Sequence, residues 1–213
     1  MERKRKMAEY KLYYFSKRGR AEPIRLIFAY TGVKYEDIRT TKEEFRSKDS
    51  AIKAKTPTGY LPLLEVNGLF LPQTLAIIRY LAKPHGLQPE DPFDSAIADA
   101  YADTVCDLVT ASLPARRETD PTKKKELGLQ VLQEKFLPAM GLFEKRLSDN
   151  RQYLIGNKIS WVDFVVFAFL DELHRKFGEK PYETAPNAKA YKERIANLPG
   201  IKEWIESRPK TEN

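Results

Sequence analysis

A short segment rich in proline and glycine divides this 213-residue chain into two halves of different character. Residues 83–93 contain three prolines and one glycine, so they can form neither a continuous helix nor a central strand. Strand and helix signals are mixed before this segment, whereas only helical patterns follow it. We therefore predict a basic N-terminal extension over 1–9, a mixed α/β domain over 10–82, a linker over 83–93 and an all-helical domain over 94–213.

The first half predicts a small mixed sheet covered by helices. Gly32 is expected to cap the first helix, and Asn67-Gly68 to form the type I′ turn of a hairpin. The polar, lysine-rich residues 41–55 leave helix and loop both open. The remaining segments are predicted as strands over 10–15, 35–39, 61–66 and 69–71 and as helices over 20–30 and 73–82.

Apolar residues of the second half recur at helical spacing. Pro121 is expected to open one helix, and Pro138 to kink or interrupt it. Ser160 and Asp163 form a predicted capping box before a helix that is apolar nearly all round, which is typical of burial at the centre of a domain. One earlier helical face is predicted from Ile97, Tyr101, Val105 and Leu108.

The composition is typical of a soluble globular protein, with 42% apolar and 31% charged residues. One cysteine, Cys106, and two histidines make a disulfide framework or a structural zinc site unexpected. Cys106 is interpreted as a buried or interfacial small hydrophobe. The chain contains neither an apolar stretch of membrane-spanning length nor a secretory signal, so we expect a cytoplasmic protein with no membrane partner.

Of the formal charge of +7, residues 2–6 carry +3, from four basic side chains and one acidic one, and the rest of the chain carries +4. These residues are interpreted as a disordered extension, with a nuclear-localisation or anionic-surface patch as the alternative. Elsewhere no basic cluster is interleaved with aromatic residues in the manner of a nucleic-acid-binding surface. We therefore expect no nucleic-acid partner.

Several stretches of the chain form a series of motifs: Tyr10-Lys11-Leu12-Tyr13-Tyr14-Phe15, Arg18-Gly19-Arg20-Ala21-Glu22, Phe28-Ala29-Tyr30, Tyr35-Glu36-Asp37, Leu61-Pro62-Leu63-Leu64-Glu65-Val66-Asn67-Gly68, Gln73-Thr74-Leu75-Ala76-Ile77 and Gly156-Asn157-Lys158-Ile159-Ser160-Trp161-Val162-Asp163. In their order and spacing, over roughly residues 8–208, these motifs resemble the sigma class of glutathione transferases. That class includes the haematopoietic-type prostaglandin D synthases and many invertebrate enzymes. The resemblance implies a thioredoxin-like α/β N-terminal domain plus an all-α C-terminal domain, with glutathione as co-substrate and no metal.

Two residues are assigned catalytic roles by the resemblance. Tyr14 matches the catalytic tyrosine at the end of the first strand, and a hydroxyl that donates to a thiolate favours the ionised sulfur. Arg20 matches the residue that supports the tyrosine–thiolate pair electrostatically. Simple packing of Tyr14 and a solvated Arg20 are the structural alternatives. Tyr13 should point to the opposite face of the strand.

The γ-glutamyl end of glutathione is assigned to Gln73 and Thr74, at the start of a helix whose N–H groups suit a carboxylate. A plain helix cap is the alternative. Leu61-Pro62 resembles the cis-proline turn against which the tripeptide pairs like an added strand. Tyr60, beside that turn, is assigned to the same site.

The glycine end of glutathione is assigned less directly, because this chain has Phe45 where the family usually has tryptophan. Lys53 is the candidate for the glycine carboxylate, with Lys48 and Arg46 as rivals and a solvated basic face as the alternative. Asp107 matches an acidic residue that reaches the glutathione amine of the partner subunit, which implies a homodimer.

The resemblance places an electrophile pocket between Tyr14 and the 101–116 helix. Pro114 or a neighbour replaces a tryptophan that the prostaglandin D synthases carry there, which favours general conjugation of small hydrophobic electrophiles in detoxification. The alternatives are a glutathione-dependent prostaglandin isomerase and a non-catalytic glutathione- or ligand-binding relative similar to the S-crystallins.

Overall fold

The structure, a computed structural model, describes residues 8–149 and 151–211, so most of the predicted extension over 1–9 lies outside the described residues. The chain forms two compact units. One runs up to His85 and also takes in the segment from Pro199 onward, and the other spans Gly86–Leu198. Within the described ranges, no helix combines the length and apolar character needed to cross a membrane.

The first unit is built on a four-stranded mixed sheet with the strand order β2-β1-β3-β4. Strand β1 is parallel to β2 and antiparallel to β3, which is antiparallel to β4. Short 3₁₀ turns precede α1 and follow α4. The elements of this unit up to His85 are β1 (Tyr10–Phe15), α1 (Glu22–Thr31), β2 (Glu36–Thr40), α2 (Lys42–Arg46), α3 (Ala51–Lys55), β3 (Leu63–Val66), β4 (Leu69–Pro72) and α4 (Thr74–Ala82).

The predicted strands and helices of this half are present, with ends shifted by one or two residues. Gly32 caps α1 in the left-handed conformation, with φ of 67°, and Asn67 and Gly68 both have positive φ in the hairpin turn. The residues left open between helix and loop form the two short helices α2 and α3. Strand β1 is flanked on both sides, so its apolar residues, such as Leu12, lie in the core.

The second unit is all helical. A π-helical segment, Leu132–Phe136, joins α7 to α8 directly before Pro138, which confirms the predicted interruption. A 3₁₀ turn over Lys180–Tyr182 follows α9. The helices of this unit are α5 (Pro92–Ala111), α6 (Leu113–Arg117), α7 (Pro121–Val131), α8 (Leu137–Leu147), α9 (Trp161–Phe177) and α10 (Pro186–Ala196).

Helix α9 is buried on nearly every side, as its sequence predicted, and its start is held by the carboxylate of Asp163. The Ser160 N–H and hydroxyl donate to Asp163 Oδ2 at 2.7 and 3.0 Å. The Leu154 N–H and the Tyr191 hydroxyl donate to Oδ1 at 3.0 and 2.9 Å. Burial raises the pKa of Asp163, and these hydrogen bonds oppose that rise.

The compact units differ from the predicted domains at two places. Helix α5 begins at Pro92, inside the predicted linker, because proline suits the first helical turn and Asp91 accepts the N–H groups of Phe93 and Asp94. The last helix, α11 (Ile201–Ser207), belongs to the first unit and not to the helical one. Cys106 is exposed in the single chain, so the expectation of burial was wrong; the interfacial alternative stays a prediction.

Candidate functional site

Tyr14 lies near the end of the central strand β1, and its side chain is buried at 5% exposure. Its hydroxyl oxygen accepts the backbone N–H of Arg20 at 3.0 Å. The turn between them carries Gly19 at φ of 48°, and a Cβ added there would lie 2.6 Å from the Tyr14 hydroxyl. A side chain at position 19 therefore could not coexist with the present placement of Tyr14. A phenol hydroxyl can accept and donate at once, so the bond from Arg20 is compatible with donation to a sulfur.

Tyr13, the neighbour of Tyr14, is held by a different set of partners. Its hydroxyl donates to Glu65 Oε2 at 2.6 Å and receives a bond from Lys55 Nζ at 3.2 Å. Burial, and then the hydrogen bond to Glu65, raise the pKa of Tyr13. The hydrogen bond from Tyr13 is also the largest cause of a lowered pKa at Glu65. Tyr13 therefore joins β1, β3 and α3 and lies outside the chemistry around Tyr14.

A cleft of about 180 Å³ lies beside this turn and brings most of the predicted glutathione residues together. The Leu61–Pro62 peptide bond is cis, as the resemblance implied. Thr58 also lines the cleft, and neither periodicity nor motif had singled it out. The lining residues are Arg20, Thr58, Tyr60, Leu61, Pro62, Gln73 and Thr74.

The start of α4 gives this cleft its anion-binding character. Gln73 is the N-cap residue and has φ of 77°, a positive value that is uncommon for a residue with a side chain. Thr74 donates its hydroxyl to the carbonyl of Arg20 at 3.2 Å, which ties the helix start to the turn that carries the Tyr14 hydrogen bond. The first N–H groups of a helix and its positive dipole end favour a carboxylate here.

The remaining predicted residues, Tyr14 included, lie outside the cleft lining. Phe45, on α2, is buried at 8% exposure and packs edge-on against Phe15 with ring centroids 5.6 Å apart. Lys53 is exposed on α3, and its rivals are exposed too, Arg46 at the end of α2 and Lys48 between α2 and α3. Asp107 is exposed on α5, in the helical unit. The described residues contain no group of three or more histidine, cysteine or acidic side chains placed to hold a metal.

A buried ionic network next to the turn after β1 was not anticipated from the sequence. Arg25 is fully buried on α1 and forms ion pairs with Glu22 and Asp37. Its Nη1 also donates to the carbonyls of Lys17 and Arg18, in the turn after β1. The available signal was the i,i+3 spacing of Glu22 and Arg25 among apolar residues of a helix. Buried charges are stable only when paired, so these groups form one unit.

Comparison with known proteins identifies the family. Residues 10–83 match the glutathione S-transferase N-terminal domain, and residues 106–208 match the glutathione S-transferase C-terminal domain. Glutathione S-transferase 1 of Ascaris suum is 37% identical, over 96% of this chain and 99% of that protein. Hematopoietic prostaglandin D synthase of Gallus gallus is 34% identical, over 96% of this chain and 99% of that protein.

Solved structures agree with the sequence comparison. The crystal structure of the monomeric glutathione S-transferase Na-GST-3 of the hookworm Necator americanus superposes with a TM-score of 0.82 at 33% identity. The match covers 96% of this chain and 100% of the hookworm chain. By sequence over nearly its whole length, and by fold, this chain belongs to the glutathione S-transferase family.

Proposed function

We propose that this protein conjugates glutathione to small hydrophobic electrophiles and that Tyr14 activates the sulfur. The observation that carries the proposal is the buried Tyr14 hydroxyl, oriented by the Arg20 N–H at 3.0 Å beside a cleft with a helix start on its wall. Packing alone does not require a tyrosine at this position, because phenylalanine would fill nearly the same volume. The hydroxyl holds the Arg20 N–H, and because a phenol can donate while it accepts, it is also suited to a chemical role.

The reaction needs a thiolate, because a thiol with a pKa of about 8.5 is mostly protonated at neutral pH. The Tyr14 hydroxyl would donate to the sulfur and favour the ionised form, and lowering the thiol pKa by about two corresponds to about 2.7 kcal/mol. The thiol proton passes to solvent. The sulfur then forms a bond to the electrophilic carbon while a leaving group such as chloride departs with its electron pair.

Glutathione would lie along the cleft with its γ-glutamyl carboxylate at the start of α4, near Gln73 and Thr74. The backbone of Leu61, turned by cis-Pro62, would pair with the tripeptide as an added strand. Arg20 would lend positive charge near the thiolate, and Tyr60 would cover the exposed side. These assignments are supported by the shared lining of one cleft.

The glycine carboxylate is proposed to bind Lys53. Both basic residues of α3 are exposed, but Lys55 is engaged with Tyr13 and Glu65. Phe45 would contribute packing under this end, since its ring has no N–H to donate.

The same proposal includes four further points: sigma-class membership, a cytoplasmic location, a role in detoxification and a homodimer. The dimer is supported by the exposed position of Asp107, which could then reach a partner's glutathione, although one superposable relative is monomeric. Sedimentation of the full chain across a concentration series tests the dimer, and a single species of monomer mass at every concentration would contradict it.

The deciding experiment measures conjugation of glutathione to a chloronitrobenzene and the pKa of enzyme-bound glutathione by thiolate absorbance. Tyr14→Phe should raise the bound-thiol pKa towards that of free glutathione and lower kcat by about 100-fold. Tyr13→Phe is the matched control and should lose stability, because it removes the bond to Glu65, while leaving the bound-thiol pKa unchanged.

Three other outcomes would contradict the proposal. Equal losses of activity in both variants would mean that Tyr14 only packs. Retention on a glutathione column without turnover would favour a binding protein similar to the S-crystallins. Turnover of a prostaglandin endoperoxide to a single isomer, without conjugation of the chloronitrobenzene, would favour the isomerase.

A further inference from the structure

The C-terminal helix α11 is connected to the turn after β1 by hydrogen bonds through Glu22 and Arg25, and a few residues of backbone in that turn lead on to the Tyr14 hydroxyl. Glu22 Oε1, on α1, accepts the indole N–H of Trp204 at 3.0 Å and the Arg208 Nη1 at 2.9 Å. Glu22 Oε2 lies 3.3 Å from Arg25 Nη1. The buried carboxylate of Glu22 therefore binds two side chains that lie 182 and 186 positions further along the sequence.

Arg25 carries this connection to the turn after β1. Its Nη1 donates to the carbonyl of Lys17 at 2.9 Å and to that of Arg18 at 3.4 Å. Its Nε and Nη2 bind the carboxylate of Asp37 at 3.2 to 3.3 Å, which fixes the guanidinium from the opposite side. The guanidinium carbon also lies 5.8 Å from the centre of the Tyr14 ring. Arg25 thus contacts both the ring and the turn.

The turn held by Arg25 places the partners of the Tyr14 hydroxyl. It leads from the carbonyls of Lys17 and Arg18 to Gly19, which passes so close to Tyr14 that an added Cβ would lie 2.6 Å from the Tyr14 hydroxyl. The next residue, Arg20, supplies the N–H to that hydroxyl. A change in the position of Arg25 therefore acts on the Tyr14 hydroxyl through only two or three residues of backbone.

We propose that four side chains are positioning residues: Arg25, Glu22, Trp204 and Arg208. Through them, the position of the C-terminal helix determines the position of the Tyr14 hydroxyl. The inference rests on the proposed role of Tyr14 in activating glutathione. A sulfur atom is activated only when the hydroxyl is correctly aimed, so displacements below 1 Å reduce the rate. The C-terminal helix thus sets catalytic geometry in addition to contributing buried surface.

Trp204→Phe is the most selective test, because it removes one N–H donor to Glu22 without changing charge. We expect kcat/KM to fall about 3- to 10-fold, mainly through kcat, and the bound-glutathione pKa to rise. Ile201→Val is the matched control: Ile201 is fully buried on the same helix and has no hydrogen bond to Glu22. It should lower the thermal midpoint and leave the thiol pKa unchanged.

Arg25→Lys keeps the charge but loses the planar fork that binds Asp37 and the two carbonyls together. We expect kcat to fall about 10- to 100-fold. If this variant does not fold, Trp204→Phe decides the matter alone.

A double variant separates positioning from general damage. In the Tyr14→Phe background, Trp204→Phe should have no further effect on the bound-thiol pKa, because the group through which it acts is gone. A full additional effect in that background would overturn the proposal, as would a loss of thermal midpoint without any change in kcat or thiol pKa. Equal shifts of the thiol pKa in Ile201→Val and Trp204→Phe would overturn it too.

The outcomes also separate this inference from the proposed function. If Tyr14→Phe raises the thiol pKa but Trp204→Phe does not, the proposed influence of the C-terminal helix on Tyr14 is wrong and the role of Tyr14 stands. If Tyr14→Phe itself leaves the thiol pKa unchanged, the proposed role of Tyr14 is wrong, and the proposed influence of the C-terminal helix on it is wrong as well.

Discussion

Gly19→Ala probes the placement of Tyr14 without touching the tyrosine itself. The new Cβ would lie 2.6 Å from the Tyr14 hydroxyl and 3.1 Å from Cε1, with Gly19 at φ of 48°. An ordinary contact begins at 3.4 Å, so the hydroxyl and the turn must separate by about 0.8 Å. The hydrogen bond from the Arg20 N–H to this hydroxyl cannot keep its length of 3.0 Å during that movement.

The magnitude follows from two separate terms. The left-handed backbone at position 19 costs about 1 to 2 kcal/mol of stability once a side chain is present. A misplacement approaching 1 Å at the reacting centre lowers the rate by about 100-fold, or about 2.7 kcal/mol of transition-state stabilisation. We therefore expect kcat/KM to fall by about 30- to 100-fold, with a raised bound-thiol pKa.

Gly32→Ala is the matched control, because Gly32 has φ of 67° and nothing lies within 4 Å of its added Cβ. It should lose a comparable amount of stability and keep the wild-type kcat/KM. The assay is chloronitrobenzene conjugation with urea unfolding of each variant. Wild-type kcat/KM in Gly19→Ala, together with equal destabilisation of the two variants, would refute the reasoning.

Three further predictions concern the cleft, the sheet and the helical unit. Thr74→Val should raise the KM for glutathione about 10-fold and also lower kcat, because it removes the hydroxyl that ties α4 to the Arg20 carbonyl, whereas Thr74→Ser should change neither; an unchanged KM in Thr74→Val would contradict the carboxylate site. Hydrogen bonding from Tyr13 lowers the pKa of Glu65 below 4.5 in the folded state, so its stabilisation is present above about pH 4.5 and is lost as pH falls through the folded value. Urea midpoints of wild type and Glu65→Gln should therefore converge on acidification, and a constant difference at every pH would argue against this pair. Asp163→Ala should lower the free energy of unfolding by about 3 to 5 kcal/mol, because it leaves buried donors without an acceptor, whereas Ser160→Ala should lower it by about 1 kcal/mol. Equal urea midpoints for these two variants would contradict the hydrogen-bond network around Asp163.

Local elements were predictable because their causes are local. The proline- and glycine-rich segment after residue 82, the hairpin at Asn67-Gly68 and the cap at Gly32 each depend on a few adjacent residues. The capping box at Ser160 and Asp163 likewise depends on a spacing of three. The resemblance then indicated the cleft residues Gln73, Thr74 and Pro62, which the fold brings together.

Other features were decided only when the chain folded. Sequence spacing does not show that Gly19 faces the Tyr14 hydroxyl, that Tyr13 is bonded to Glu65, or that Thr58 joins the cleft. The same holds for the C-terminal helix, which the sequence placed with the helical half. It joins the first unit because Glu22 needs donors once it is buried, and Trp204 and Arg208 supply them. Periodicity reports which face of a helix is buried, but only the tertiary structure determines which distant partner a buried charge meets there.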